Sequence, residues 1–293
     1  MTEDPFVAHR GLLFTVAYEM LGQASEAEDV VQETWIRWDA IGPEARAEVR
    51  DPRAYLARMT TRKALDRLRA NARRREEYVG EWLPEPLLTS PDVAEDVELA
   101  ESVSFAMLTV LETLGPTERA VFVLREVFDV PYGEIAQAVD KSEAAVRQIA
   151  HRAREHVAAR RPRVEVSRTE QEEVVDRFLA AVAGGDLQGL LDALAPDVVM
   201  VADGGGIAQA IRIPVVGAKK VANLLRTFPK FGAGATILPV LLNGAPGARI
   251  VGLDDGHDTA IVFLVEGGRI SRIYAVRNPL KLGRIDDEAT LSR

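Results

Sequence analysis

The stretch SEAAVRQIAHRAREHVAARR, residues 142–161, carries the pattern that decides how this chain folds. Ala, Val and Ile recur on one face while basic and amide side chains occupy the other, which predicts a helix. Ser142 stands at the N-cap position, just after a predicted turn at 140–141. A shorter apolar-periodic segment, residues 132–139, comes immediately before it. Two short helices joined by a tight turn indicate a helix-turn-helix, whose second helix can lie in the major groove of DNA.

The second helix of this motif offers several side chains that suit DNA. Arginine and glutamine can bind base edges through two hydrogen bonds, and further arginines suit phosphates. Alternatively, Gln148 and His151 pack inside the protein or merely face solvent, and the sequence leaves that choice open. The predicted DNA-binding residues of this helix are Ser142, Glu143, Arg147, Gln148, His151, Arg152 and Arg154.

Composition limits the class of protein. A chain of 293 residues, with 47% apolar and 28% charged residues, is expected to fold into two or three domains. It contains no cysteine, so disulfides and thiolate metal sites are excluded. No apolar run approaches the ~20 residues that span a bilayer, and the N-terminus lacks a secretory pattern. We therefore expect a cytoplasmic protein that binds no membrane.

The distribution of charge matters more than its sum. The net charge of −9 by itself argues against nucleic acid. However, one basic cluster lies within residues 62–75 and another within 147–163, and acidic residues concentrate between them, around 95–101. Each basic cluster can bind phosphates by counterion release, while the acidic remainder suppresses indiscriminate binding.

The first part of the chain is predicted to be helical. Residues 4–77 form a first helical unit of three helices, the second of which begins with a capping box at Ser25. Residues 78–95 form a linker, whose prolines are expected to hold the flanking units apart. Residues 96–163 form a second helical unit that ends in the helix-turn-helix.

The character of the chain changes after the second helical unit. Residues 167–283 begin with helices, the first opened by a capping box at Thr169, and continue with strands that include 207–213. Helices followed by an antiparallel sheet predict an α+β domain, curved around a pocket, which we call the cone domain. Residues 284–293 form a C-terminal tail.

The order of these units resembles the bacterial extracytoplasmic-function (ECF) sigma factors, which are dissociable promoter-recognition subunits of RNA polymerase. Residues 27–34, AEDVVQET, are close to the DAEDxxQETF pattern of sigma region 2. Residues 114–122, LGPTERAVF, resemble the start of region 4. The resemblance covers residues 4–162 and implies two all-α sigma domains, region 2 and the region 4 helix-turn-helix.

The cone domain resembles the SnoaL-like, NTF2-type α+β fold. Sigma factors that carry this domain form the subgroup known as ECF41, or SigJ-like. Its linker signature WLPEP is intact at residues 82–86, its DGGGK motif appears at 203–207, and its NPDKL motif appears at 278–282. Two positions depart from these motifs, with Ile207 in place of the lysine and Leu280 in place of the aspartate.

This resemblance implies partners and the residues that bind them. The protein is expected to bind core RNA polymerase, through its β′ clamp helices and β flap, and promoter DNA. An acidic face would dock on polymerase, although such a face can also be merely solvated; it comprises Glu28, Asp29, Gln32 and Glu33. The helix-turn-helix would read the −35 element. The −10 element would be bound by Arg62, Lys63, Arg69, Asn71 and Arg73.

The WLPEP segment is expected to dock on the cone domain. Its prolines prevent a helix around Trp82, and the three glycines after Asp203 permit close approach of another chain segment. We hypothesise that this contact fixes the two sigma regions relative to each other and so tunes polymerase and promoter binding. The predicted contact residues are Trp82, Leu83, Pro84, Glu85, Pro86, Asp203, Gly204, Gly205, Gly206, Asn278, Pro279, Lys281 and Leu282.

Two other functions compete with this interpretation. A polymerase-independent, ligand-responsive helix-turn-helix regulator would not need the basic N-terminal unit. An enzyme of the isomerase or cyclase type would need acids or histidine converging in the cone pocket. The available groups fall mostly at predicted turns: Asp203, Asp254, Asp255, His257 and Asp258. We predict no catalytic residue, metal or cofactor, and leave open a small-molecule ligand in this pocket.

Overall fold

The computed structural model describes residues 4–160, 166–228 and 234–293, apart from the side chains of residues 72–76 and 94. Its elements follow the predicted order of a helical unit, a linker, a second helical unit and an α+β domain, so the predicted fold class is confirmed. None of the described helices is both long and apolar enough to cross a lipid bilayer.

The first helical unit consists of α1 (Pro5–Leu21), α2 (Ala24–Ala40), α3 (Gly42–Ala47) and α4 (Pro52–Glu76). Asp4 caps α1 by accepting a hydrogen bond from the amide of Phe6 at 2.8 Å. The capping box predicted at Ser25 is wrong, because α2 begins one residue earlier and has Gln23 at its N-cap. The Ser25 hydroxyl instead donates to the carboxylate of Glu85 in the linker.

The predicted helix-turn-helix is confirmed. The linker ends in α5 (Pro91–Glu95), and a π-helical turn, Val123–Val127, extends α8. A left-handed residue, Asp140 with φ 54°, ends α9, and the Ser142 hydroxyl caps α10 by accepting from the Ala145 amide at 3.3 Å. The helices of the second helical unit are α6 (Val97–Ser102), α7 (Phe105–Leu111), α8 (Pro116–Phe122), α9 (Tyr132–Val139) and α10 (Glu143–Ala158).

The two helical units lie side by side and share one hydrophobic core. Helix α4 packs against α8 and α9, and Arg62 donates to the carbonyl of Gln137 at 2.7 Å. The prediction that the linker holds the units apart is therefore wrong. Leu87 and Val93 of the linker join the shared core, because burying these side chains removes apolar surface from water.

Buried polar groups reinforce this junction. Arg119 of α8, which is 1% exposed, donates to the main-chain carbonyl of Glu19 at the end of α1 and to the carboxylate of Glu112. The Glu19 side chain is fully buried, and burial raises its pKa to about 8 although Arg293 and Arg119 act in the opposite direction. The tail also reaches this region, since the amide of Ser292 donates to a threonine hydroxyl of α1 at 3.1 Å.

The cone domain begins with α11 (Arg168–Gly184) and α12 (Leu187–Ala193), and α13 (Ala218–Leu225) follows its second strand. The sheet order is β2-β1-β6-β5-β4-β3, in which β1 and β6 are parallel and all other neighbours are antiparallel. Its strands are β1 (Leu194–Asp203), β2 (Val215–Val216), β3 (Thr236–Leu242), β4 (Ala245–Val251), β5 (Thr259–Glu266) and β6 (Arg269–Val276).

Three expectations for the cone domain are corrected. The sheet is mixed and not purely antiparallel, because β1 and β6 run parallel. The run 207–213 forms turns and bends instead of a strand, and Ile213 is 75% exposed. The N-cap of α11 is Ser167, whose hydroxyl accepts from the Glu170 amide at 3.3 Å, so the box predicted at Thr169 lies inside the helix. Ser167 can cap because its extended backbone directs its hydroxyl at the free amides of the first turn, whereas Thr169 already lies within the helix.

Candidate functional site

A buried carboxylate lies at the end of β1, where the linker crosses the cone domain. Asp203 is fully buried, and each of its oxygens accepts two hydrogen bonds. Oδ1 accepts from the Tyr78 hydroxyl at 2.5 Å and the Gly205 amide at 3.0 Å. Oδ2 accepts from the Leu83 amide at 3.0 Å and the Lys281 ammonium at 2.7 Å. The carboxylate is thereby saturated, and two of its four donors come from the linker.

Lys281 is the cation that balances this carboxylate. It is 3% exposed, and its ammonium also donates to the carbonyl of Leu83 at 2.5 Å. The ammonium lies 3.4 Å from the centre of the Trp82 ring, and a desolvated cation over an aromatic face is stabilised by ~2 kcal/mol or more. The linker therefore wraps around a buried ion pair. We call this cluster the latch; it comprises Tyr78, Trp82, Leu83, Asp203, Asn278 and Lys281.

The parallel pairing of β1 with β6 explains why distant parts of the sequence meet here. Asp203 stands opposite Val276, so the chain that leaves β6 passes beside it. The amides of Arg277 and Asn278 both donate to the Asp203 carbonyl, at 2.7 and 2.9 Å. The Asn278 side chain donates to the Tyr78 hydroxyl at 2.7 Å. Burial and the hydrogen bond to Asp203 raise the pKa of Tyr78, which keeps it a neutral donor.

The glycines after Asp203 permit this close approach. A Cβ at Gly204 would collide with the carbonyl of Ala208. Gly205 adopts φ 61°, and a Cβ there would collide with the side-chain amide of Asn278. A larger residue at Gly205 would therefore push Asn278 of the latch away, whereas one at Gly204 would disturb the turn that follows β1.

The rest of the WLPEP segment is held by the first helical unit. Glu85 is 2% exposed, and its amide donates to the Gly22 carbonyl at 2.8 Å. Its carboxylate accepts from the amide and hydroxyl of Ser25, at 3.3 and 3.2 Å. Burial raises the pKa of Glu85. Pro84 and Pro86 are buried on either side, so the linker lies between the first helical unit and the cone domain.

The structure brings together the three segments that were predicted to form the interdomain contact. Leu83 and Leu282 share an apolar cluster beneath the latch. The two positions that depart from the subgroup motifs project toward solvent, since Ile207 is 51% exposed and Leu280 is 75% exposed. The polar contacts of the latch are thus made without them. The regulatory role of these segments stays a prediction.

The predicted polymerase-binding face lies on α2 and is covered with ion pairs. Glu33 accepts from Lys63 and Arg67, at 3.0 Å each, and the hydrogen bond from Lys63 is the main cause that lowers the pKa of Glu33. Glu28 lies 3.6 Å from Arg284 of the tail. Such exposed pairs contribute little stability, so they can exchange for a partner's charges.

An open groove adjoins this acidic face. Its volume is 620 Å³, and its apolar lining includes Phe6, Val7 and Trp35. Its polar side holds Glu28, Asp29 and Gln32 together with two cations, Arg10 and Arg284. An apolar floor with a rim of both charges suits an amphipathic helical partner.

The residues predicted to bind the −10 element differ in their accessibility. Arg62 is exposed but is held by a main-chain carbonyl of α9. Asn71 is 6% exposed, and its amide donates to both carboxylate oxygens of Glu26, at 2.7 and 2.6 Å. Arg69 is exposed, whereas the side chain of Arg73 lies outside the described residues. DNA contact by these residues stays a prediction.

All seven residues predicted to read the −35 element are exposed on α10 and its N-cap. The alternative that Gln148 and His151 pack inside the protein is wrong, because α10 buries its apolar face instead. The guanidinium of Arg147 lies 4.9 Å from the centre of an aromatic ring of α9. Arg154 donates two hydrogen bonds to Glu126, at 3.1 and 2.8 Å. This face of the helix-turn-helix is open to a ligand.

The cone domain contains a cavity of 530 Å³ lined mostly by apolar side chains of β1, β4, β5, β6 and α13, with Asp254, Asp255 and Arg277 on one side. Three of the five candidate catalytic groups are tied to cations. Asp255 pairs with Arg277 at 2.8 Å, Asp258 pairs with Arg249 at 2.7 Å, and Asp203 belongs to the latch. Among the described residues, no group of three or more His, Asp or Glu could hold a metal ion.

One buried polar residue was missed by the sequence-based search. Asn243 lies at the tip of the β3–β4 hairpin, is 1% exposed, and bonds to both helical units. The Asn-Gly pair at 243–244 is a strong hairpin signal, so the turn could have been predicted. Its burial could not, because one partner lies 225 positions away in the chain.

Comparison with known proteins identifies relatives of the two helical units and of nearly the whole chain. Residues 6–74 match the family model of sigma-70 region 2, and residues 104–157 match that of sigma-70 region 4. The chain is 39% identical to ECF RNA polymerase sigma factor SigJ of Mycobacterium tuberculosis, over 96% of this chain and 93% of that protein. It is 32% identical to the probable ECF RNA polymerase sigma factor SigI of that organism, over 94% and 92% of the two chains. The crystal structure of SigJ matches with a TM-score of 0.77 at 36% identity, covering 95% of this chain and 97% of that one.

Proposed function

The chain belongs to the ECF RNA polymerase sigma factors, and on this premise we propose that its cone domain regulates initiation by gripping the linker between the two sigma regions. The observation that carries this proposal is the latch, in which a buried ion pair of the cone domain binds both the amide and the carbonyl of Leu83. Holding the linker restricts how far regions 2 and 4 can separate. We also propose the domain limits that the sequence predicts: 4–77 and 96–163 for the two sigma regions, 78–95 for the linker and 167–283 for the cone domain.

In this compact arrangement, the two predicted DNA-binding helices differ in how accessible their basic side chains are to DNA. The predicted −35 residues of α10 are exposed, which supports binding without rearrangement. By contrast, Arg62 of α4 is bonded to α9, and Arg58 of α4 lies 3.6 Å from Glu134 of α9. Binding of the −10 element by α4 would therefore require the two sigma regions to part. Opening of the latch is the step that we propose to control this separation.

Polymerase binding would use the groove beside α2. Its apolar floor suits one face of a helix, and its rim offers Glu28 and Asp29 to basic side chains of that helix, as expected for the clamp helices. Glu28 is bonded to Arg10 at 2.6 Å and lies 3.6 Å from Arg284 of the tail. A polymerase helix entering the groove would compete with both cations for Glu28.

We further propose that the cone domain is not an enzyme. Three of its five candidate groups are engaged with cations, which leaves them poor candidates for proton transfer. The size of the cavity suits a small apolar ligand, which would act as a signal. Such a ligand would contact Ala202 in β1 and Arg277 just after β6, each adjacent in the chain to a residue of the latch.

In vitro transcription with core RNA polymerase tests the proposal. We expect promoter-directed initiation by the full chain, a strong loss in Arg147→Ala, and a changed rate in Lys281→Met. Promoter binding that requires core polymerase excludes a polymerase-independent regulator. If no version initiates from a promoter, the sigma assignment of these surfaces is overturned. Unchanged initiation by Lys281→Met, with the linker shown to be released, would overturn the regulatory role of the latch.

A further inference from the structure

The hairpin between β3 and β4 has an unusual position for a turn. Hairpin tips normally lie at the surface, because their backbone groups need water. Here Asn243 is 1% exposed, although it adopts φ 53° and is followed by Gly244 with φ 76°, as two-residue hairpin turns require. The tip is instead inserted between the linker and both helical units, where protein groups replace the missing water.

The side chain of Asn243 is saturated by partners from three different parts of the chain. Its Nδ2 donates to the Tyr18 hydroxyl of α1 at 2.8 Å and to the carbonyl of Val103, just before α7, at 2.9 Å. Its Oδ1 accepts from the Leu87 amide at 3.0 Å, and its own amide donates back to the Leu87 carbonyl at 2.9 Å. A single carboxamide therefore joins sigma region 2, the linker and the segment that leads into region 4.

The surroundings of this carboxamide hold it in place. The Tyr18 hydroxyl is fully buried and donates onward to the Glu85 carbonyl at 2.7 Å. The Gly244 amide donates to the Thr89 hydroxyl at 3.0 Å. A Cβ at Gly244 would come within 3.1 Å of the Cβ of Ala100 in α6, so the hairpin packs closely against the second helical unit.

We infer that this hairpin tip, residues 243–244, is a second interdomain contact with a role distinct from that of the latch. The inference rests on the proposed regulatory function of the cone domain, which it deepens. The latch bonds described above run between the linker and the cone domain. The hairpin tip bonds directly to Tyr18 of one sigma region and to Val103 at the entrance to the other. Withdrawal of the tip would therefore break these two bonds to the sigma regions while the latch continues to hold the linker.

Asn243→Asp in the full chain tests this division of roles. The replacement has nearly the same size and keeps an acceptor for the Leu87 amide, but it removes both donors and introduces a buried charge. We expect amide hydrogen exchange in α1 and in residues 103–108 to accelerate about tenfold or more, because buried acceptors lose their donor. Exchange of the Leu83 amide in the latch should stay within about threefold of the unchanged protein. Asn223→Asp, on an exposed position of α13, is the matched control.

A second variant tests the same contact if Asn243→Asp does not fold. Tyr18→Phe removes the hydroxyl that accepts from Asn243 and donates to the Glu85 carbonyl, and should accelerate exchange in α1 in the same direction. The inference is overturned if both variants, folded by circular dichroism, leave exchange in α1 unchanged. It is also overturned if the Leu83 amide opens to the same extent as α1, since that would make the hairpin tip and the latch one cooperative contact. Accelerated exchange in α1 without any change in transcription would instead count against the proposed regulatory function and leave this contact standing.

Discussion

Replacing Lys281 with methionine should release the linker from the cone domain. The methionine side chain keeps most of the apolar stem that lies over Trp82 but deletes the ammonium that balances Asp203. Asp203 is fully buried, so its charge would be left without a counter-ion. Removing one partner of a buried ion pair typically costs about 3–5 kcal/mol. That loss corresponds to an increase of about 150- to 5,000-fold in the population in which the latch is open.

Hydrogen exchange of the Leu83 amide measures this opening directly, because that amide donates to Asp203. We expect its protection to fall by about a hundredfold or more in Lys281→Met. Lys219→Met, on an exposed position of α13, removes the same charge from the same domain and should leave the protection unchanged. Protection of Leu83 within about threefold of the unchanged protein would refute the reasoning, since the ion pair would then not hold the linker.

A double-mutant cycle separates this interaction from general damage. Asp203→Asn alone should also release the linker, because the amide cannot accept from all four donors at once. The combination of Asp203→Asn with Lys281→Met should destabilise the latch by less than the sum of the two single changes, since each removes the same pair. Strict additivity would show that the two charges do not stabilise each other.

Two further predictions concern other parts of the molecule. Burial raises the pKa of Glu19 to about 8, so between pH 4.5 and 8 the folded protein holds a proton that the unfolded chain releases, and stability falls as pH rises through this window. Glu19→Gln should abolish this dependence of stability on pH, which is on the order of 1 kcal/mol per pH unit. Urea unfolding at several pH values measures it. If the dependence is unaltered in the variant, groups other than Glu19 cause it. Arg147→Ala should weaken binding of −35 DNA in the polymerase complex by about 1–3 kcal/mol, by fluorescence anisotropy at fixed salt. Equal weakening on unrelated DNA would instead indicate that Arg147 contacts phosphate.

Local signals in the sequence predicted the local structure of the DNA-binding part. The N-cap at Ser142 and the apolar period of α10 both depend on neighbours within a few residues, so they can be recognised without knowledge of the fold. The start of α2 was missed because a distant residue, Glu85, recruits the Ser25 hydroxyl that would otherwise cap the helix. Here a tertiary contact overrides a local preference.

The contact residues of the latch, except Tyr78, were predicted from their resemblance to motifs, but their chemistry was not. That Lys281 is buried against Trp82 depends on the parallel register of β1 and β6, which no short-range pattern encodes. The predicted strand at 207–213 failed for a related reason. Its apolar residues resemble a strand, yet Ile213 remains exposed and the backbone forms turns beyond the glycines. Side-by-side packing of the two helical units was not predicted either, although Leu87 and Val93 of the linker enter their shared core.

The parallel pairing of β1 with β6 has a consequence for newly synthesised protein. Both charges of the latch are contributed by the third domain, and Lys281 is translated only after the last strand of the sheet. The helix-turn-helix is complete by residue 160, roughly 120 residues earlier, which a ribosome takes roughly 6–24 s to translate. During this interval the predicted DNA-binding helices of the nascent chain can fold, but the latch has not yet formed on the linker. If the latch restrains this sigma factor as proposed, that restraint begins only when the final strand has emerged, and a chain interrupted before Lys281 would lack it.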